Sequence, residues 1–156
     1  MRLAVSIGIA GGEGADFDFM NALAASLVAA SSAIVFVLGL AHLLFTFRGP
    51  KLLPRDPELR SRMEAVSPVI TRQTTMWKCW VGFNASHSYG LILFGAMYGY
   101  LALAHGELLF RSLFLLSLGL LVLLGYVLLA QRYFFRTPLA SVVVATLLYA
   151  GALVVG

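Results

Sequence analysis

The run Thr71–Gly90, TRQTTMWKCWVGFNASHSYG, gathers a guanidinium, an ammonium, a thiol, an amide, an imidazole and several hydroxyls into one short part of an otherwise apolar chain. Set on a helix at about 100° per residue, these side chains separate into two faces. Trp80, Asn84, His87, Leu91, Phe94 and Tyr98 share one of them. It pairs aromatic walls with an amide and an imidazole, the type of surface that lines a ligand pocket between helices. With Arg72 ahead of it and His42 from an earlier segment, the candidate ligand-binding set is His42, Arg72, Trp80, Asn84, His87 and Tyr98. The other face is a stripe of small side chains, Thr75, Cys79, Gly82, Ser86 and Gly90. Gly82, Ser86 and Gly90 are expected to let a neighbouring helix approach closely. Gly95 and Gly99 repeat that spacing further along.

Two readings of the polar face stand side by side. In one, Asn84 and His87 receive a ligand. In the other they only hydrogen-bond across helices, worth about 0.6–2 kcal/mol each. Acid–base chemistry by His87, with Asn84 or Tyr98 beside it, would suit a lipid-like substrate. A Ser–His nucleophile would not, because Ser86 and Ser88 flank His87 and adjacent helical residues do not face each other. No single residue is identified as catalytic.

No metal or cofactor is expected. The apolar stretches hold no carboxylate, and Cys79 falls on a different face from His87. His42 is expected about 7 Å inside one end of its helix and His87 about 16 Å inside the matching end of its own. That offset of about 9 Å argues against a shared haem iron. His105 falls at the opposite interface. The missing buried carboxylate also removes the proton-coupled carriers that depend on one. Cys79 is the only cysteine, so no intrachain disulfide and no thiolate cluster can form.

Membrane-spanning helices are what must position these groups. Phe19–Phe47, Cys79–Gly106, Ser112–Gln131 and Thr137–Gly156 contain no Asp, Glu, Lys or Arg. Each reaches the roughly 20 residues needed to cross about 30 Å of hydrocarbon. Apolar residues make up 60% of the chain and charged ones 12%, with a mean hydropathy of +0.90; soluble domains are nearer a quarter charged. The expected fold is an all-α integral membrane four-helix bundle. Its spans cover 20–47, 68–104, 109–131 and 137–155, forming one domain over 20–156 with no soluble catalytic domain attached. Residues 1–19 are expected to be a disordered tail, or to precede a true start at Met20. Asp56-Pro57 is a helix-start signal, and Leu59, Met63 and Val66 share a face. A short helix over 57–66 is therefore expected to lie on the cytoplasmic membrane surface. Ser67-Pro68 repeats the signal and is expected to open span two.

Orientation follows from charge. The first connection carries Arg48, Lys51, Arg55, Arg60, Arg62 and Arg72, and the third carries Arg132 and Arg136. Arg2 and Arg111 stand on the other side. The positive-inside rule then puts both connections in the cytoplasm and both termini in the periplasm of a bacterial inner membrane. Because the basic residues border the spans, anionic lipid is the expected partner and nucleic acid is not.

The pattern Arg72-x-x-Thr75-x-Trp77 followed by Gly82-Phe83-Asn84-x-Ser86-His87 resembles an uncharacterised family of small four-span bacterial inner-membrane proteins. The likeness covers nearly all the chain after Met20 and implies the fold but no activity. The function expected is binding, through span two, of a small apolar or lipid-like ligand or of a partner subunit, including another copy of the chain. The alternatives are a small membrane enzyme acting on a lipid-like substrate and an accessory subunit of a larger membrane complex.

Overall fold

The computed structural model describes residues 10–156. Six helices follow one another: α1 (Ala10–Phe47), α2 (Pro57–Ala65), α3 (Met76–Ala104), α4 (Gly106–Arg111), α5 (Leu113–Tyr133) and α6 (Arg136–Val155). No strand occurs among the described residues. Phe19–Phe47 of α1, together with α5 and α6, are long and apolar enough to cross a membrane, which marks a membrane protein. At 29 residues α3 measures about 44 Å, but Asn84, Ser86, His87 and Ser88 dilute its apolar character. Of the tail expected over 1–19, residues 1–9 lie outside the described part. From Ala10 the backbone is helical and runs unbroken into the first apolar stretch.

The ends of these helices have local causes. Asp56 accepts from the Glu58 amide, and Pro57 takes the first position of α2 as its signal predicts. The same signal at Ser67-Pro68 starts nothing. The Met76 amide donates to the Val66 carbonyl at 2.8 Å and closes residues 66–75 into a compact loop. Thr75 then caps α3 by accepting from the Lys78 amide. The helix expected as span two therefore begins eight residues later, at Met76, and Thr71, Arg72, Gln73 and Thr74 are not helical. Ser112 divides the expected third span into α4 and α5 by capping the latter.

α1 lies against both α3 and α6. A Cβ added at Gly39 would come 2.8 Å from the Leu91 Cβ, and one at Gly95 would come 2.6 Å from the Ser32 carbonyl oxygen. α1 and α3 thus run antiparallel with their backbones nearly touching. Ser31 Oγ donates to the Ala145 carbonyl at 2.7 Å, and Gly156 sits against Ala24, so α6 is antiparallel to α1 as well. α5 packs on α6, but it meets α3 mainly through long side chains. Tyr98 and Tyr149, both buried, fill that seam and donate to the carbonyls of Leu115 and Leu116.

No other helix among the described residues packs on the small-residue stripe at Gly82 and Ser86. A Cβ at Gly82 would meet nothing within 4 Å, and Ser86 is exposed. Only Gly90 in that set is close to another helix of the chain, through Tyr126. Periodicity groups the stripe correctly but cannot say which face has a neighbour. Gly39 and Gly95 are the glycines that bring the backbones of α1 and α3 together.

Candidate functional site

Near the end of the molecule that holds α2, polar side chains from three helices converge. α1 supplies His42, α3 supplies Trp80, Asn84 and His87, and α5 supplies Tyr126. Asn84 uses both ends of its amide: Nδ2 donates to the Trp80 carbonyl at 2.8 Å, and Oδ1 lies 3.0 Å from His42 Nε2. Only the NH2 end can donate to a carbonyl, so the end facing His42 is the acceptor oxygen. The proton on neutral His42 is thereby placed at Nε2, and its Nδ1 carries a lone pair. Ser88 Oγ donates to the Asn84 carbonyl at 2.9 Å, and the Trp80 indole donates to the Leu52 carbonyl at 3.1 Å. That last bond folds the loop after α1 over the start of α3.

The His87 ring stands edge-on to His42 at 5.3 Å and to Tyr126 at 5.4 Å, with Phe134 tilted against it at 5.7 Å. The expected depth offset between His42 and His87 is therefore corrected. Phe45 and Thr46 share a cleft with Trp80 and Val81, which puts the end of α1 level with Trp80 rather than Met76. Counted from that level, the two imidazoles differ by only about 3 Å. They touch edge to face, so no macrocycle could lie between them without parting α1 and α3. Among the described residues no group of three His, Cys, Asp or Glu could hold a metal ion.

Not every expected residue belongs here. Tyr98 lies three turns further along α3, stacked on Phe94 at 4.6 Å in the seam core. Arg72 is exposed in the loop before α3. Trp80 keeps its place beside Asn84, where both line a cleft of about 10 Å³, room for one water at most. Ser86 Oγ donates to the Phe83 carbonyl, so neither serine beside His87 presents a free hydroxyl proton. Tyr126 and Phe134 were not in the expected set. Tyr126 stands out within an aliphatic span, one turn and a half from Arg132, which is the signal that would have placed it near the level of His87.

No family model, curated protein or solved structure matches the chain. The site is therefore assigned from its own geometry.

Proposed function

We propose that this chain is a four-span protein of the bacterial inner membrane that binds a small lipid-like ligand through α3. In this reading α1, α3, α5 and α6 form a four-helix bundle, and α2 rests on the cytoplasmic leaflet. The Arg72-x-x-Thr75-x-Trp77 and Gly82-Phe83-Asn84-x-Ser86-His87 run would place it among small four-span bacterial inner-membrane proteins that carry the same pattern. One observation carries the binding role: His42, Asn84, His87 and Tyr126 converge from three helices in an otherwise apolar molecule. Polar groups at membrane depth are costly and mark functional sites by default. The cleft at Asn84 is far smaller than the several hundred Å³ of an enclosed ligand pocket. In this reading the ligand meets the site from the lipid beside α3 and α5, with its head at His87 and its apolar body outside the bundle.

Native mass spectrometry of the purified protein, with lipids retained, tests this. The wild type is expected to carry a small molecule that a folded His87→Ala variant loses. Identical adducts on both proteins would reject the site.

A second reading, contact with a partner subunit or another copy, draws on the open face of α3. Gly82 and Ser86 are exposed there, and so are Phe83 and Tyr89. Small residues on a lipid-facing helix permit close approach by another helix. Cross-linking in native membranes through a cysteine at position 82 would separate this reading from the first.

A further inference from the structure

We propose that the notch formed by Gly90, His87 and Tyr126 receives the uncharged oxygen head of an apolar molecule, specifically a carbonyl oxygen; the inference rests on the ligand-site reading above. It begins with a bond count. Three tyrosines turn toward the α3–α5 seam. Tyr98 donates to the Leu115 carbonyl at 2.7 Å, and Tyr149 donates to the Leu116 carbonyl at 3.2 Å. Tyr126 has no hydrogen-bond partner among the described residues, although its ring lies 5.4 Å from His87. Around it the remaining polar side chains are committed: Asn84 at both ends, His42 through Nε2, Ser88 and Trp80 to backbone carbonyls. The ring nitrogens of His87 also have no partner among the described residues.

Gly90 gives this notch its shape. A Cβ at that position would stand 2.9 Å from the Tyr126 hydroxyl oxygen. The missing side chain is what lets the hydroxyl rest against α3, about one turn from His87. The Tyr126 hydroxyl is not enclosed by protein, Ser32 Oγ being the fully buried unpaired side-chain atom among the described residues, so it can be reached from outside the chain. An oxygen supplied from there would pair it.

The donors indicate which oxygen. Tyr126 offers an O–H, and neutral His87 offers one N–H; a carbonyl oxygen has two lone pairs and can accept from both. A phosphate head fits poorly. The rings in contact with His87 belong to His42, Tyr126 and Phe134, none of which carries a fixed positive charge. An uncharged oxygen is matched by the two neutral donors without drawing on the basic residues at the helix ends. A metal ion would find two imidazoles without a third His, Cys, Asp or Glu among the described residues. Tyr98 and Tyr149 fill the inner part of the α3–α5 seam, so the alkyl tail of such a molecule would lie along the outer surface of α3 and α5 while the head enters the notch.

The chain's two tryptophans, Trp77 and Trp80, are on the first turns of α3, with Trp80 about 10 Å along the helix from His87. Their emission reports binding of a quenching ligand. Full-length protein in nanodiscs is titrated with decyl-1,4-benzoquinone, decyl phosphate and Zn²⁺ alone. The quinone is expected to quench saturably. Tyr126→Phe should weaken it about ten-fold, the equivalent of one hydrogen bond. His87→Phe and Gly90→Ala should weaken it at least as much, while Gly82→Ala should leave it unchanged. Tyr126→Phe removes a single oxygen, so it decides the matter even if the His87 variant does not fold. Quinone affinity unaltered in Tyr126→Phe would overturn the proposal. Binding of decyl phosphate or Zn²⁺ with this residue dependence, and none of the quinone, would overturn the carbonyl assignment and leave the site standing. No dependence on these residues for any probe would overturn the site as well.

Discussion

Asn84 decides the chemistry of its neighbours. Its amide is held at one end by the Trp80 carbonyl, so the other end can only accept from His42. Asn84→Leu keeps the bulk and removes both bonds. It is expected to lower stability in detergent by about 1–3 kcal/mol, because it leaves the His42 Nε2–H unpaired within the packed helices. Unchanged thermal unfolding would mean that this bond contributes nothing. The glycines offer a sharper contrast. At Gly95 an alanine Cβ would press on the Ser32 carbonyl and Phe36, and neither can yield without moving α1. Gly95→Ala should cost about 1–3 kcal/mol from overpacking. Gly82→Ala adds a methyl to open space, so it should be neutral or stabilise by up to about 1 kcal/mol through helix propensity. Equal melting shifts for the two variants would refute this assignment of faces. Residue types made both glycines legible as packing candidates; only the placement of α1 separates them.

At the scale of elements, local chemistry was readable where it acts alone. Asp56 and Pro57 start α2 where their types predict, because the cap needs nothing beyond the next few residues. Ser67 and Pro68 present the same types and start no helix. There the Met76 amide reaches back to Val66, and Thr75 takes the cap instead. The loop over 66–75 depends on contacts between residues ten apart, which a local signal does not contain. Thr75→Val keeps the side chain's shape and removes its oxygen. It is expected to destabilise the protein by about 1 kcal/mol. Ser67→Ala should have no comparable effect, since Ser67 caps nothing. Chemical denaturation of the two variants in one detergent checks the difference, and a larger loss at Ser67 would return the helix start to the earlier position. The break at Ser112 coincides with the end of the charged segment at Arg111, but the apolar residues Leu108, Leu109 and Phe110 before it drew the expected span across it. A hydropathy pattern records burial in lipid but is insensitive to a single capping hydroxyl.

At the scale of the molecule, the all-helical, apolar character was legible because a membrane imposes it through length and polarity. The relative depth of residues was not. Depth was counted from each helix end, and α3 extends about a turn beyond the end of α1, so His42 and His87 were separated by a distance that packing removes. Packing also assembles the charge asymmetry. Arg48, Lys51, Arg55, Arg60, Arg62, Arg72, Lys78, Arg132 and Arg136 belong to the end with α2, and Arg111 belongs to the end where Ala24 meets Gly156. We therefore predict that the α2 end faces the cytoplasm and that the chain terminus at Gly156 faces the periplasm. Alkaline phosphatase, which needs export to become active, should be active when fused after Gly156. A fluorescent protein that matures only in the cytoplasm should be bright when inserted between Arg55 and Asp56, both exposed, just before α2. Both reporters giving the opposite result would turn the molecule over. The His87 level would then lie under the outer leaflet, and its ligand would have to arrive from the periplasmic side.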